Sequence, residues 1–598
     1  TIITYKMKKT LLFSVALAGL MLGSCSSSDD LNGGGNNTGS NQSGNGYVAF
    51  NINLPTQSGT SSRSSENDQF NDGTPNEYDV KDATLLVFEG STESGATLKS
   101  AYKLNTAPWN DKKANENVTT TSATIVKEID APASADDCYA LVVLNNNGVF
   151  TLNETNHTIS LDGASDFTGT YKEFAESLSD KNLTKNGFYM ANAPLSDVAG
   201  GTVAPTGAKI TTLVSLKDKI KETESEAKKS LAQIYVERGV AKVTMENPSI
   251  TEVDGSYTDK TRATKVPFMV TSWALDNTNK KTYLVRSAEG SDGWLNLATE
   301  ISTVAAKFRF VGSSPVATGV SLYRTYFAKD ANFDKTENTA ALGSNSFNKI
   351  DASGITNALG SENPLYCFEN TFDVASQNDN TTTRVLIKAK LNSGSTFYVI
   401  NGDENTIYKK DEVIKEIKKY FLTEYESWIK TNVTIASGSV GEANLDVDIT
   451  DNAGDVAINS ITFTNGATTT ATLPTNYQQT VMDRVGTIQE YKDGESYYFV
   501  RIKHFGDDLT PWHVSESVMP SSAAGVYPSG PNQDNNYLGR YGVLRNNWYD
   551  IQITGVKGLG SATVPDVTPV PDDELKSYIA VKINVLSWAK RTQSAILH

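Results

Sequence analysis

Cysteine is scarce, with 3 residues in a chain of 598. That number cannot staple a scaffold of this size, so the core must be hydrophobic. Histidine is scarcer for its uses: His157, His504, His513 and His598 are the 4 present, and none are spaced as metal ligands or in an H-E-x-x-H pattern. His504 and His513 flank Asp507-Asp508, which reads as a solvated loop and not as a ligand set. There is no G-x-S-x-G elbow and no P-loop, and Gly558-Leu-Gly560 leads into a proline-rich stretch instead of a helix, so it is no dinucleotide loop. Carboxylates are plentiful, but no pair stands out as acid and base. The expectation is a non-enzyme without cofactor or metal. Positive charge is in deficit: the formal net charge is −16, which repels polyanions and argues against nucleic acid as a partner. Long apolar runs are missing too. Leu11 to Met21 is too short to span a bilayer, and nothing after it is long and apolar enough.

The N-terminus carries an export signature. Met7 reads as the start, Lys8-Lys9 as a basic n-region and Leu11 to Met21 as an apolar h-region. Leu22-Gly23-Ser24-Cys25 then resembles a bacterial lipobox, with residues 1–24 as the signal peptide and the Cys25 thiol as lipid acceptor; the alternative is a plain secretory signal. Ser26 to Gly46 is Ser/Asn/Gly/Asp-rich and reads as a flexible tether, and Ser28-Asp29-Asp30 resembles the acidic tag of surface-exported lipoproteins. Cys138 and Cys367 read as two separate buried free thiols, with pairing in an oxidising periplasm as the alternative.

After the tether, Tyr47 to Leu54 alternates apolar with small or polar residues, placing Val48, Phe50, Ile52 and Leu54 on one face of a half-buried strand. The polar stretch Gln57 to Asp68 follows. It holds Arg63, the one basic residue between Lys9 and Lys81, in a Gly/Ser-rich setting suited to proteolysis. A cut between Arg63 and Ser64 would free a whole core strand. Near the other end, Ile579, Val581, Ile583 and Val585 repeat the same pattern, with Tyr578, Leu586 and Trp588 on the opposite face. Lys557 to Lys576, with Pro565, Pro569 and Pro571, reads as a stiff linker that lets this strand reach away from its own body. The alternative is that Ser577 to Trp588 folds back as an intramolecular strand.

The rest is mostly short strands and polar turns. Ala83–Phe88, Cys138–Leu144, Ile234–Thr244 (interrupted by Gly239), Phe268–Trp273, Lys307–Val311, Arg384–Leu391, Phe397–Ile400, Ser496–Lys503 and Trp548–Val556 are the main segments, a pattern of β-sandwiches. Glu412 to Lys430 is the clearest helix, its apolar stripe read as core packing, and the charged Leu216 to Leu231 is a second candidate. Asp446-Val-Asp448-Ile-Thr-Asp451-Asn-Ala-Gly454-Asp455 hints at calcium but lacks EF-hand spacing, and Asp446 and Asp448 alternate like the exposed face of a strand. The division expected is a lipidated tether and removable first strand at 25–63, sandwiches at 64–247 and 248–576, and a terminal arm at 577–598.

In order and placement these segments resemble the Mfa-type major fimbrial shaft subunits, within the FimA-like (type V) pilins of Bacteroidia. The resemblance rests on the lipobox at Cys25, the strand-then-arginine arrangement at Tyr47 to Arg63, and Tyr235-Val-Glu-Arg238-Gly-Val-Ala-Lys242. It rests also on Leu544-Arg545-Asn546-Asn547-Trp548-Tyr549, the Pro/Asp stretch Val564 to Asp573 and Val581 to Trp588. It implies two tandem transthyretin-like Greek-key β-sandwiches, mainly β with few helices. It also implies a lipoprotein precursor cut by an Arg-specific protease after Arg63, and polymerisation in which Ser577 to His598 of another copy replaces the lost strand. One donor strand or two stays open. The implied partners are further copies, anchor and tip subunits, the protease and the lipoprotein signal peptidase; the implied role is adhesion and biofilm formation. The competing reading is a monomeric surface lipoprotein whose Trp109, Trp294 or Trp512 stacks on glycans. A tip or anchor subunit is a third possibility. Interchangeable terminal strands beside a lone cleavable arginine favour the shaft.

Overall fold

The computed structural model describes residues 45–54, 74–110, 122–130, 137–199, 209–254, 257–259, 262–286, 311–317, 319–332, 346–372, 378–403, 405–504, 541–567, 579–586 and 591–594. Cys25, Arg63, Ser64, Trp294, Trp512, His513, Trp588 and His598 therefore lie outside the described residues, as does all of Lys307–Val311 except Val311.

The fold is mainly β. In the first half the strands used below are β1 (Asn45–Asn53), β2 (Ala83–Glu89), β3 (Thr97–Lys103), β4 (Ser122–Asp130), β5 (Cys138–Leu144), β6 (Met190–Asn192) and β7 (Ala232–Arg238). They form an eight-stranded sheet in the order β3-β2-β5-β6-β7-β1-β4, with the short strand Val214–Ser215 joined to β5. β2 and β5 are rich in β-branched and large apolar residues and are buried almost throughout, so both faces of the sheet are covered there. The asparagines after β5 adopt the left-handed conformation their side chains tolerate: Asn145 has φ 53° and Asn147 φ 55°. The Asn145 amide, fully buried, donates to the carbonyls of Asp79 and Phe188 and ties the turn down.

The chain then changes cores within a few residues. β7 ends at Arg238, and β8 (Ala241–Met245) begins the second core. Gly239 permits the crossing, because a Cβ there would lie 2.9 Å from the Tyr189 ring. The second core is built from β8, β9 (Phe268–Asp276), β10 (Leu365–Cys367), β11 (Arg384–Leu391), β12 (Phe397–Ile400) and strands that follow an inserted layer. That layer holds α1 (Lys410–Glu424), α2 (Glu426–Asn432), β13 (Leu445–Ile449), β14 (Gly454–Asp455), β15 (Ile458–Phe463) and α3 (Tyr477–Val485). It has a core of its own, to which the helices contribute Val413, Ile417, Phe421 and Ile429. The expected helix is thus present as a packed stripe, broken at Tyr425, whose ψ of 20° departs from helical geometry. Asp446 and Asp448 occupy the exposed face of β13, as alternation requires.

The chain closes with β16 (Ile488–Tyr491), β17 (Glu495–Arg501), β18 (Trp548–Val556), β19 (Ile579–Leu586) and β20 (Arg591–Ser594). The sheets are β10-β8-β18-β19-β20, β9-β11-β17 and β12-β16-β14.

Several expectations need correction. Leu216 to Leu231 is not a helix; only Glu224–Ala227 is helical, capped by the Thr223 side chain. Asp218 sits at φ 59°, which no α-helix continues through, and the segment offers too few apolar residues to bury a face. His504 is not solvated: it is buried, with Nδ1 2.8 Å from the Tyr549 hydroxyl. Trp109 is buried at 2 % exposure and cannot stack on a sugar. The linker does not begin at Lys557. Leu559 and Ala562 are buried, Tyr498 and Tyr491 donate their hydroxyls to the Gly558 and Gly560 carbonyls, and Tyr497 bridges Ser561. Gly560, at φ 68°, makes the turn that lays this stretch on the core.

Cys138 and Cys367 are buried free thiols in separate cores. Burial pushes each thiol up to about 12, so neither is a thiolate at neutral pH. Neither is expected to react with a thiol reagent in the native protein, and both should react in denaturant. Rapid native labelling of either would overturn the packing described.

Candidate functional site

β1 is an interior strand although it stands at the N-terminal end of the described chain. It runs parallel to β7, with Phe50 opposite Ala232, Ile52 opposite Ile234 and Asn53 opposite Tyr235. On its other edge it runs antiparallel to β4 along its whole length, from Asn45–Asp130 to Asn53–Ser122. Val48, Phe50, Ile52 and Leu54 are all at most 2 % exposed and belong to the first core. Each such burial stabilises by about 1.5–3 kcal/mol, as an upper estimate.

Polar contacts set the register. The Asn51 amide donates to Gln233 Oε1 at 2.9 Å and the Asn53 amide to the Ile234 carbonyl at 3.1 Å. The start of the strand is clamped by the segment that sequence reasoning read as a helix. Tyr47 and Lys221 exchange both backbone hydrogen bonds, at 2.7 and 2.9 Å, and Ile220 packs so close to Gly46 that a Cβ there would lie 2.5 Å from Ile220 Cγ2. No pattern in Leu216 to Leu231 announces this strap, because its work is done by backbone groups.

β4 has no other strand neighbour among the described residues. Without β1 the sheet would therefore part between β7 and β4. Ala232, Ile234 and Val236 on one side and Ala123, Ile125 and Ile129 on the other would lose their cover. A replacement must match two edges of opposite sense, running parallel to β7 and antiparallel to β4.

The last strands are placed differently. β19 is antiparallel to β18, with Ile579, Val581, Ile583 and Val585 opposite Val556, Ile553, Ile551 and Tyr549. β20 folds back on β19 and ends the sheet. The predicted exchange strand is thus docked on its own body, in the arrangement given above as the alternative to a free arm. It is joined to the body along one edge, whereas β1 is held along both.

Residues 528–594 match the family model of the C-terminal domain of fimbrillin, the major fimbrial subunit protein type IV. No curated protein matches the chain. Among solved structures, one described as a "putative cell adhesion protein" from Parabacteroides distasonis is similar over 90 % of this chain and 96 % of its own, at 12 % identity and a TM-score of 0.34. The tip fimbrial protein Mfa3 from Porphyromonas gingivalis is similar over 91 % and 100 %, at 10 % identity and a TM-score of 0.30. A fimbrial protein from Bacteroides vulgatus is similar over 57 % and 83 %, at 9 % identity and a TM-score of 0.21. The segment that contains β18, β19 and β20 is thus similar to the C-terminal domain of fimbrillin, a major fimbrial subunit protein.

Proposed function

We propose that this chain is a shaft subunit of a cell-surface fimbria. It is exported as a lipoprotein on Cys25, cut after Arg63 by an Arg-specific protease, and polymerised by strand exchange between copies. The observation that carries this reading is β1: a strand whose apolar face is buried in the core, bonded on both edges, followed closely in sequence by the lone Arg63. A cut there leaves β1 held by non-covalent contacts alone. Its loss opens a slot between β7 and β4 that an apolar strand of matching period can fill. Ile579, Val581, Ile583 and Val585 have that period and lie within the fimbrillin segment. Release of the terminal strands requires breaking one strand edge, that with β18. A first domain, a second domain that starts with β8 and a donor arm at 577–598 belong to this proposal; the expected boundary at 247 falls after β8, whose apolar residues lie in the second core. So do anchor and tip partners and maturation at the outer membrane by lipoprotein signal peptidase.

The test is electron microscopy and unboiled gel analysis of the purified full chain, before and after Arg-specific proteolysis. Filaments and a high-mass ladder are expected after the cut. Neither is expected from Arg63→Ala, nor from a chain lacking residues 577–598. A cut protein that stays monomeric with β1 still bound would refute strand exchange and leave a monomeric surface protein. Filaments that form without residues 577–598 would instead move the donor elsewhere.

A further inference from the structure

Part of the acidic motif Asp446 to Asp455 lies off the exposed face of β13. Asp451-Asn452-Ala453 forms the turn into β14. The strand beside this turn is β16, the middle one of β12-β16-β14, and Glu490 on it pairs with Tyr398 on one side and Gly454 on the other. Alternation places Glu490 on the face of Ile488, which with Tyr398 belongs to the core under α1 and α3. The next residue, Tyr491, faces the other way and stacks on Phe397 at 4.5 Å. Glu490 is therefore a carboxylate on the apolar side of a sheet. It is 0 % exposed, and neither of its oxygens has a hydrogen-bond partner of good geometry.

Its polar neighbours are the Asp451 carboxylate and the Tyr398 hydroxyl. Burial first, and Asp451 second, push Glu490 above the usual carboxylate range, and burial and Glu490 raise Tyr398 in turn. A buried carboxylate whose oxygens lack well-aligned donors is destabilising, and a second carboxylate beside it adds repulsion that the Tyr398 hydroxyl offsets only in part. A proton or a cation can relieve this. The setting favours a cation. Asp451 is 67 % exposed, which leaves a path from solvent, and the turn adds the Asp451 carbonyl oxygen, on which Lys492 now sits.

We propose that Glu490 and Asp451 hold a divalent cation, with the Tyr398 hydroxyl, the Asp451 carbonyl oxygen and water completing the shell. Oxygen donors alone select a hard ion, and the irregular set fits calcium better than magnesium. Among the described residues no third acid or histidine joins the pair. The site thus belongs with weak extracellular calcium sites, of dissociation constant about 10⁻⁴–10⁻³ M. Lys492 is the competing charge: its Nζ lies 3.0 Å from the Asp451 carbonyl oxygen and 3.9 Å from Oδ1. It is 43 % exposed and free to swing into water when an ion enters.

The experiment is calcium titration of the chelator-treated full chain, by calorimetry and by terbium luminescence sensitised through Tyr398. One saturable site and a calcium-dependent rise in Tm are expected. Glu490→Gln should weaken binding about tenfold or more, since it removes one of two charged ligands. Lys492→Gln should tighten it, and Tyr398→Phe should dim the terbium signal. The proposal fails if neither calcium nor terbium binds, or if Glu490→Gln binds calcium as the parent does. It fails also if Glu490→Gln raises Tm equally with and without calcium, since that marks a carboxylic acid kept protonated by Asp451.

Discussion

Phe50→Ala is expected to destabilise the uncut chain by about 3–5 kcal/mol, the usual cost of deleting a large core side chain. Phe50 sits near the middle of β1, is 0 % exposed, and is paired with Ala232 on one edge and Ile125 on the other. The slot cannot collapse freely around a smaller residue, because one of its walls, β7, is fixed by its ladder to β6. Denaturant unfolding measures the loss, with Asn51→Ala as the comparison. Asn51 lies on the same strand, but its main side-chain bond is a surface one to Gln233, so about 1 kcal/mol or less is expected there. Equal losses at the two positions would show that β1 is not a core strand. Under the exchange reading Phe50→Ala has a second consequence. The strand is held more weakly, so polymerisation after the cut should start sooner, while the uncut protein stays monomeric as long as Arg63 is intact.

The strands were largely legible, for physical reasons that can be named. β5, β11, β12 and β18 run over the same residues as the apolar segments read from sequence, because each is a short run of β-branched or aromatic residues bounded by turn formers. β1 was legible as a strand and as a buried face. Its two neighbours were not, since pairing depends on contacts far apart in sequence. Leu216 to Leu231 misled because charged, helix-favouring residues dominate it, while its contribution is the backbone exchange between Lys221 and Tyr47. The stretch after Lys557 misled in another way. Glycine and proline read as linker chemistry, yet the tyrosines of β16 and β17 use its carbonyls as acceptors. Glu490 carried no signal of its own, because what sets it apart is a missing partner and not a motif.

Least legible of all were the buried charges, and they carry the other large expected effect. Glu237, Arg286, Glu369 and Arg545 are at most 6 % exposed. Arg286 Nε lies 3.2 Å from Glu237 and 3.5 Å from Glu369, and Arg545 Nε lies 3.1 Å from Glu369. The remaining guanidinium donors reach neutral oxygens: Arg286 bonds the Thr325 and Arg545 carbonyls, and Arg545 bonds Thr282 Oγ1 and the Tyr283 carbonyl. Burial pushes the Glu237 carboxyl up, and Arg286 and Arg545 pull it back. Two acids and two bases, with the Arg324 guanidinium also acting on Glu237, thus hold each other between β7 of the first core and the Arg545 turn before β18 of the second. Glu369→Gln leaves Arg286, Arg545 and Arg324 facing Glu237 alone and should cost about 3–5 kcal/mol, the penalty of an uncompensated buried charge. Adding Arg545→Met removes one of the excess cations, so the double variant should be more stable than Glu369→Gln alone, although Thr282 and Tyr283 lose a donor. Because the cluster is out of water, the loss should barely change between low and high salt. A cost below about 1 kcal/mol, or one that salt abolishes, is the behaviour of surface ion pairs and would overturn the assignment. The cluster joins the body that holds β1 to the sheet that holds β19. Under the exchange reading those are the two ends at which neighbouring copies pull, and these buried charge pairs between them would keep each subunit from shearing as a filament is loaded.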